Sequence, residues 1–320
     1  MKAIVYHRHG PPEVLQLEEI PNPVPLDDQV LIRVLAAGLN PLDWRLMRAP
    51  LWFTTIVRAF AHEKVSRPGV DVAGIVEATG TRVTRFKAGD AVFGTCKGSC
   101  AEYACTSESE LALKPANITF DQAAAVPVAA FTALQGLRDH GGVRPGQKVL
   151  IVGAAGGVGT FAVQIARWLG AQVTAVCSTR NLDLVRSLGA SHVVDYTQED
   201  FTRSTERYDV ILDLIANRSV RACVRLLTPK GIYVAAGAPK GMFRLLLGLL
   251  MMRVLPWFVS QRTTFFMAKR RVEDLKLIGE LMESGHVVPV IDQAWPLNET
   301  AEAIRYLEQG HARGKVVIHV

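Results

Sequence analysis

The sequence predicts an α/β protein with two parts, a compact β barrel and a doubly wound parallel sheet. Residues 1 to about 120 hold short strand-like runs broken by Pro and Gly, which is typical of a small barrel. From about residue 121, apolar strands alternate with helices, as in a parallel sheet covered on both faces. The strand-like run 315–318 is expected to complete the first part. We therefore predict one domain from residues 1–120 and 265–320, and another from 121–264.

The second part has the clearer succession of elements. Residues 148–152 are a short continuous apolar run, as expected for a strand buried on both faces. A helix is predicted next, over 157–169, and Gly170 ends it. The other predicted elements are a helix over 123–137, a strand over 172–176, a helix through 182–188, and strands over 192–194, 209–213 and 231–235.

Composition indicates an ordinary globular protein with a large core, since 49% of residues are hydrophobic and 21% are charged. The N-terminus runs directly into a strand-like pattern without a secretory signature, so we expect a cytoplasmic protein. The five cysteines suit a reducing compartment. Cys96, Cys100 and Cys105 are close together, but they include no CxxC pair and no nearby histidine. We interpret them as small, partly buried strand residues rather than as a metal site.

The net charge of +6 raises the question of nucleic acid or an anionic membrane as a partner. The basic residues are scattered, apart from 269–271 near Arg262. A mildly positive field also suits an anionic dinucleotide, so charge alone does not decide between these partners. We predict no nucleic-acid partner.

Residues 242–259 are strongly apolar and stand out from the rest of the second part. A membrane-spanning helix needs roughly 20 apolar residues, and Arg244, Arg253 and Pro256 interrupt this stretch. We therefore predict no transmembrane segment. A buried helix is the favoured interpretation, and a lid over the substrate, a dimer contact and a membrane-touching patch stay open.

A glycine-rich turn at 153–159 separates the predicted strand 148–152 from the following helix. In a G-x-G-x-x-G frame, Gly156 and Gly159 take the second and third positions and Ala154 replaces the first. Such a turn lets backbone N–H groups approach a pyrophosphate at the positive end of the helix dipole. We predict that four residues contact the cofactor here: Ala155, Gly156, Gly157 and Val158.

The end of the next strand bears on the choice between NADH and NADPH. NAD sites usually hold an acid there that binds the ribose 2′-hydroxyl, whereas this chain has Ser178, Thr179 and Arg180, with no acid before Asp183. Two hydroxyls and a guanidinium suit a 2′-phosphate, although they would also serve to cap the following helix. We predict NADPH as the cofactor.

At this point the chain resembles the medium-chain dehydrogenase/reductase superfamily, specifically its zinc-free quinone oxidoreductase branch. The resemblance covers almost the whole length. It rests on GLNPLD (38–43), RPGVDVAG (67–74), VTRFKAGD (83–90), the turn 154–159 and GHARGKVVI (310–318). It implies a GroES-like barrel, interrupted in sequence by a Rossmann domain, with the nicotinamide in the cleft between them.

The resemblance also implies that the metal is absent. Zinc-dependent relatives have Cys at the position of Asn40, a His-Glu pair at 70–71 and a further Cys near Val128. A catalytic zinc needs three protein ligands, and this chain keeps neither the Cys nor the His. The pair His62-Glu63 lies seven residues too early, and we interpret it as a surface loop.

Three residues of the first part are predicted as catalytic: Asn40, Asp43 and Arg45. By resemblance, Asn40 lies near the nicotinamide and the substrate carbonyl, although it is equally suited to a turn before Pro41. Asp43 supports that loop, and anchoring Arg45 is one way in which it would do so. Relatives often have Lys where Arg45 stands, and Arg does not give up its proton. No general acid is therefore identified.

Three more cofactor contacts follow from the resemblance alone: Thr132, Tyr196 and Lys315. Each has an ordinary structural alternative, namely a core-helix threonine, a packing tyrosine and a solvated strand end. Without zinc, oxidation of a simple alcohol loses its electrostatic support, whereas a conjugated acceptor spreads the incoming charge itself.

We therefore predict a zinc-independent, NADPH-dependent oxidoreductase that transfers hydride to quinones or α,β-unsaturated carbonyl compounds. The expected substrate is a small hydrophobic carbonyl or quinone, and the expected assembly is a monomer or a homodimer. Alternatives are a zinc-free dehydrogenase or enoyl reductase of a biosynthetic intermediate, and a cofactor-binding scaffold with incidental activity.

Overall fold

A computed structural model describes residues 1–48, 66–237 and 242–320 of the chain. The predicted loop at His62-Glu63 lies outside the described residues. The chain divides into two compact units. The first unit comprises Met1–Ala129, Arg270–Gly285 and Pro289–Val320, and the second comprises Ala130–Lys269 and His286–Val288.

The described residues form strands and helices in the following order. The strands are β1 (Lys2–Val5), β2 (Gln16–Glu19), β3 (Gln29–Leu39), β4 (Asp71–Thr79), β5 (Ala91–Thr95), β6 (Tyr103–Ser107), β7 (Leu111–Leu113), β8 (Lys148–Val152), β9 (Gln172–Cys177), β10 (His192–Asp195), β11 (Tyr208–Asp213), β12 (Leu227–Ala235), β13 (Arg262–Phe265), β14 (Ile291–Pro296) and β15 (Lys315–His319). The helices are α1 (Pro41–Met47), α2 (Phe120–Ala124), α3 (Pro127–Gln135), α4 (Gly157–Trp168), α5 (Leu182–Ser187), α6 (Val220–Val224), α7 (Met242–Val254), α8 (Val272–Glu283) and α9 (Thr300–Glu308).

Strand β3 organises the first unit, because it pairs antiparallel with β4, β6 and β15. Burial alternates along its first half, as expected where only one face is covered, and becomes continuous from Ala36 onwards. Gly38 lies where α2 packs on this strand, and a Cβ there would come within 2.2 Å of the Ala124 carbonyl oxygen. The small residues at the end of β3 therefore allow a helix backbone to approach the sheet closely.

The C-terminal strand β15 pairs with both β14 and β3. It runs parallel to β14 because α9 carries the chain back between them, and antiparallel to β3. The prediction that 315–318 joins the first part is thus confirmed. The register sets Val316 opposite Leu39, which brings the start of β15 to the end of β3.

The second unit is built on a six-stranded sheet in the order β10-β9-β8-β11-β12-β13, with every neighbouring pair parallel. The strand order reverses between β8 and β11, which is the point where doubly wound sheets bind ligands beyond the carboxyl ends of their strands. All five strands predicted for this part are confirmed. The predicted helix 123–137 is instead two helices, α2 and α3, because Pro127 lacks an N–H and begins a new helix.

The turn between β8 and α4 requires glycine at two positions. Gly153 has φ +87°, a left-handed conformation that a side chain disfavours. A Cβ on Gly159 would lie 2.1 Å from the Gly153 carbonyl oxygen. Because Gly159 has no side chain, the first turn of α4 can rest directly on the strand-to-helix turn. The tight-turn glycine is therefore Gly153. It lies one residue before Ala154, which takes the first position of the predicted G-x-G-x-x-G frame.

Helix α7 and the residues after it account for the apolar stretch 242–259. Met252, Leu255 and Val259 pack against the core of the second unit, whereas Leu246 and Leu250 are exposed. The prediction of a buried helix therefore holds for one face only. Among the described residues, no helix is both long and apolar enough to cross a bilayer.

The clustered cysteines of the first unit are free thiols. Cys96 and Cys100 are buried and Cys105 is half-buried in β6. Burial raises the pKa of Cys96 to about 12, so this thiol stays protonated and inert at neutral pH.

We expect Gly159→Ala to lower the free energy of unfolding by about 1–3 kcal/mol, because the new methyl group meets backbone atoms that cannot rotate away. Gly156→Ala is the matched control, since the nearest atom to its Cβ is 3.6 Å away. Urea denaturation of both variants would measure the difference. Equal stabilities would contradict the close contact between α4 and the turn.

Candidate active site

A buried polar cluster lies where three strands of the first unit begin or end. Asn40 follows β3, Asp71 opens β4 and Lys315 opens β15, while Asp43 lies in the first turn of α1. The registers that pair Gly38 with Asp71 and Leu39 with Val316 bring these side chains together. All four residues are buried.

Lys315 is the centre of this cluster, although its side chain is only 3% exposed. Its ammonium donates to Asn40 Oδ1 at 2.7 Å, to the Leu39 carbonyl oxygen at 3.0 Å and to Asp71 Oδ2 at 3.2 Å. These contacts match the three N–H donors of a lysine. A cofactor contact, as predicted for Lys315, would therefore have to replace one of them.

Asp71 is the member of the cluster that the sequence-based site prediction missed. Its Oδ2 accepts from Asn40 Nδ2 at 2.9 Å as well as from Lys315, and its Oδ1 accepts from the Val128 N–H at 3.0 Å. The available signal was an acid within the otherwise apolar run 70–76, since burying a carboxylate is unfavourable without partners.

Asp43 holds the loop in place through two backbone N–H groups. Its Oδ2 accepts from Asn40 at 2.7 Å and its Oδ1 from Gly69 at 3.2 Å. Burial, assisted by the nearby charge of Asp71, raises the pKa of Asp43 to about 6. The carboxylate therefore positions Asn40 and remains mostly ionised at neutral pH.

The other two predicted residues of this group lie on helices. The Arg45 guanidinium lies 5.4 Å from the ring centre of Trp44, on α1, and partial burial lowers its pKa. Thr132 lies half-buried on α3, in the second unit. Their predicted roles stay predictions.

The glycine-rich turn of the second unit has the shape of a phosphate cradle. Gly156 is the residue before α4, and no side chain caps this helix end. The first N–H groups of a helix lack partners within the helix and attract anions. A Cβ on Gly156 would meet only the Gly153 oxygen, at 3.6 Å, so the turn leaves room for a ligand. Ala155, Gly156, Gly157 and Val158 thus fit a pyrophosphate.

Beyond β9, the chain places Ser178 and Arg180 at the same carboxyl edge of the sheet. Ser178 Oγ accepts from Asn181 Nδ2 at 3.1 Å, which leaves the serine proton available for a ligand. Arg180 is exposed. Both residues can therefore serve an anionic group such as a 2′-phosphate.

Thr179 differs from these two, because its hydroxyl donates to Asp195 Oδ2 at 2.5 Å. Thr197 donates to the other oxygen of the same carboxylate at 2.7 Å. Hydrogen bonds from Thr179 and Thr197 hold the pKa of Asp195 below its ordinary value. The single proton of Thr179 is thus already engaged and is not available to a phosphate.

Asp195 adds an acid to this edge, although the segment after β9 holds none before Asp183. It ends β10, and the register places it beside Cys177, the last residue of β9. Tyr196, predicted to border the adenosine, is the next residue; it is exposed, and its N–H donates to the Cys177 carbonyl oxygen at 3.0 Å. The acid was missed because it comes from the neighbouring strand rather than from the segment after β9.

Within the part of the chain that the structure describes, no three His, Cys, Asp or Glu side chains are placed to hold a metal ion together. In the buried cluster, the side-chain oxygens of Asn40 and Asp71 bind the Lys315 ammonium.

Comparison with known proteins identifies the class. Residues 26–120 match the family model of the alcohol dehydrogenase GroES-like domain, and residues 188–318 match that of a zinc-binding dehydrogenase. The chain belongs to the medium-chain dehydrogenase/reductase superfamily. It is an oxidoreductase with a nicotinamide cofactor, and its two units are a GroES-like domain and a Rossmann domain.

Two similar proteins and one solved structure show which members of the superfamily this chain resembles. The chain is 36% identical to 2-methylene-furan-3-one reductase of Solanum lycopersicum, over 100% of this chain and 79% of that protein. It is also 36% identical to the chloroplastic NADPH-dependent alkenal/one oxidoreductase of Arabidopsis thaliana, with the same coverage. A solved quinone oxidoreductase from Coxiella burnetii is 30% identical with a TM-score of 0.87, covering 100% of this chain and 99% of that one.

We expect Lys315→Met to lower the free energy of unfolding by about 3–5 kcal/mol, because it leaves the buried Asp71 carboxylate without its cation. Lys148→Met is the control, since its ion pair with Glu206 is exposed and is worth at most about 1 kcal/mol. Adding Asp71→Asn to Lys315→Met should recover part of the loss. Equal losses in the two single variants would contradict a stabilising buried pair.

The raised pKa of Asp43 predicts a pH-dependent stability. Between the ordinary value of 3.8 and the folded value of about 6, the folded protein binds this proton more tightly than the unfolded chain does. Raising the pH through that window therefore lowers the free energy of unfolding, by up to about 3 kcal/mol from this group.

Asp43→Asn isolates this effect, because the variant cannot titrate at this position. The unfolding free energy of the wild type minus that of Asp43→Asn should fall as the pH rises from about 4 to about 6. Denaturant titrations at several pH values would measure it. A difference that grows with pH would mean that the two N–H bonds outweigh burial.

Proposed function

We propose that the protein is a zinc-independent, NADPH-dependent reductase of conjugated carbonyl compounds or quinones. The observation that carries the proposal is the buried cluster of Lys315, Asn40 and Asp71, in which an ammonium engages the side-chain oxygens that a metal would need. The names of the similar proteins support the substrate class, since they include an enone reductase and an alkenal/one oxidoreductase.

The chemistry of this cluster supports the proposed zinc independence. Asn40 contributes an amide, which is a poor zinc ligand beside the thiolate and imidazole that zinc prefers. The Lys315 ammonium lies 2.7 Å from Asn40 Oδ1 and 3.2 Å from Asp71 Oδ2, so a divalent cation at those oxygens would be repelled. The zinc-binding dehydrogenase match covers residues 188–318, which do not include Asn40 or Asp71.

Asn40 is proposed to bind the substrate oxygen. Its amide is held at both ends, because Oδ1 accepts from Lys315 and one Nδ2 hydrogen goes to Asp71. The second Nδ2 hydrogen is then fixed in direction, and the Lys315 charge strengthens it as a donor. A preorganised donor of this kind stabilises negative charge that develops on a carbonyl oxygen.

The cofactor supplies the hydride when it is bound. The amides at Gly157 and Val158 are proposed to hold its pyrophosphate at the start of α4, since the Gly156 N–H donates to the Gly153 carbonyl oxygen at 3.2 Å. Arg45 keeps its proton at neutral pH, so the final protonation of the product is assigned to solvent.

The preference for NADPH is proposed to rest on Arg180 and Ser178. Asp195 opposes it, because an ionised carboxylate at this edge repels a 2′-phosphate. Its two oxygens already accept from Thr179 and Thr197, which satisfies part of its charge. A cytoplasmic location and a monomeric or homodimeric state stay predictions.

The activity test follows the absorbance of NADPH during incubation with phenanthrenequinone and with a short alkenal. We expect oxidation of NADPH with at least one of them, unchanged by a zinc chelator. Asn40→Ala should lower kcat by about tenfold to a hundredfold, which is the usual effect of losing one charge-stabilising donor. Leu42→Ala, an exposed neighbour, is the control. Stoichiometric bound zinc, or no turnover with either acceptor, would contradict the proposal.

The cofactor preference is tested by Kd values for NADPH and NADH. Arg180→Ala should weaken NADPH by about tenfold to a hundredfold and leave NADH unchanged, as expected for a lost charged hydrogen bond. Arg186→Ala removes the same charge six residues further along the chain, where Arg186 pairs with Asp183, and serves as the control. Asp195→Asn should tighten NADPH. An Arg180→Ala variant that binds both cofactors normally would refute this assignment.

A further inference from the structure

The net positive charge of the second unit comes from one segment, residues 214–269. This segment holds nine of the 36 Lys and Arg residues of the chain and none of the 30 Asp and Glu residues. The chain as a whole is only mildly basic at +6, so the remaining residues carry a net negative charge. A strongly cationic region therefore lies on a protein that is otherwise slightly acidic.

The same segment exposes a row of apolar side chains along α7 and the turn that follows it. Leu246, Leu250 and Arg253 recur at intervals of four and three residues, which places them on one side of α7, and Trp257 lies in the turn that follows the helix. Leu246 is 57% exposed, Leu250 54% and Trp257 80%, and Arg253 is exposed as well. Large apolar groups thus point outward around a cation.

Phe258, in the turn after the helix, is 78% exposed. Leu247 and Met251 instead line a cavity of the second unit together with Met252 and Tyr233. We call the surface formed by Leu246, Leu250, Arg253, Trp257 and Phe258 the α7 face. The opposite side of the helix contributes Met252 and Leu255 to the core. The α7 face is therefore additional to the packing that the fold requires, and an exposed apolar patch of this kind marks an interaction site.

Cations border the α7 face on neighbouring elements of the same unit. Helix α6 contacts α7 and exposes Arg221 and Arg225, four residues apart and therefore on one side of α6. At the end of α7, the Met252 carbonyl oxygen accepts from the Thr263 hydroxyl at 2.6 Å, next to the exposed Arg262. Guanidinium groups thus lie on elements that contact α7, and residues 214–269 hold no carboxylate side chain.

We propose that the α7 face is a docking surface for anionic lipid membranes. Leu, Met, Phe and Trp side chains in a helix that lies in the membrane plane insert among acyl chains and headgroups, while flanking Arg residues pair with lipid phosphates. Trp257 and Phe258 at the end of the helix have the amphipathic or aromatic character found at membrane interfaces. Attachment is peripheral, since no described helix is suited to crossing a bilayer.

Charge distinguishes this occupant from a second copy of the chain. A two-fold contact through the α7 face would bring two acid-free cationic segments together, and like charges across an interface disfavour association. An anionic bilayer offers both the apolar interior and the negative surface that this face lacks. The inference does not depend on the reductase activity proposed above.

The test is flotation of the full-length chain with phosphatidylcholine vesicles that either contain or lack phosphatidylglycerol. We expect binding to the phosphatidylglycerol vesicles only, and weaker binding as salt is added. Trp257→Ser with Phe258→Ser should reduce binding by at least about tenfold. Arg253→Gln should reduce it by about fivefold, which is the usual effect of removing one cation near an anionic membrane surface.

The matched control is Val24→Ser with Leu26→Ser, which removes two exposed apolar residues of the first unit. This variant should bind like the wild type, and circular dichroism should show that all variants stay folded. Absence of binding to phosphatidylglycerol vesicles, or equal binding by the control and the Trp257 variant, overturns the proposal. A dimer in the absence of lipid that Trp257→Ser dissociates would instead assign the α7 face to a second copy.

Discussion

The ion pair between Lys315 and Asp71 is the interaction on which the first unit depends. A charged pair is stable in a dry interior only when geometry and additional hydrogen bonds compensate the loss of water. Here Asn40, the Leu39 carbonyl and the Val128 N–H supply those bonds. Strands β3, β4 and β15 must therefore keep their registers, because a shift by one residue would separate the pair and turn its members to the opposite face.

The same pair links the fold to the chemistry. Lys315 and Asp71 hold the two ends of the Asn40 amide, and Asp43 holds its backbone N–H. An amide fixed in this way needs no reorganisation when charge develops nearby, which is where electrostatic catalysis gains most. The proposed role of Asn40 as a donor to the substrate oxygen depends on this rigidity.

The second unit balances opposing charges at the edge of its sheet. Arg180 and Asp195 both belong to the carboxyl ends of the strands, one after β9 and the other at the end of β10. The threonine hydroxyls on Asp195 moderate its effect without removing its charge. Farther along the unit, residues 214–269 carry only basic charges. The proposed cofactor site and the proposed docking surface on α7 thus make different uses of positive charge within one domain.

The sequence by itself determined the parallel sheet, the glycine-rich turn and the return of 315–318 to the first unit, because apolar runs and glycine spacing are local signals. Only the tertiary structure decided the partners of Lys315 and the position of Asp195. Asp71 and Lys315 are 244 residues apart, and strand register, which brings them together, is a property of pairing rather than of either strand alone. The exposure of Leu250 and Trp257 was likewise hidden, since an apolar helix does not specify how much of its surface other elements cover.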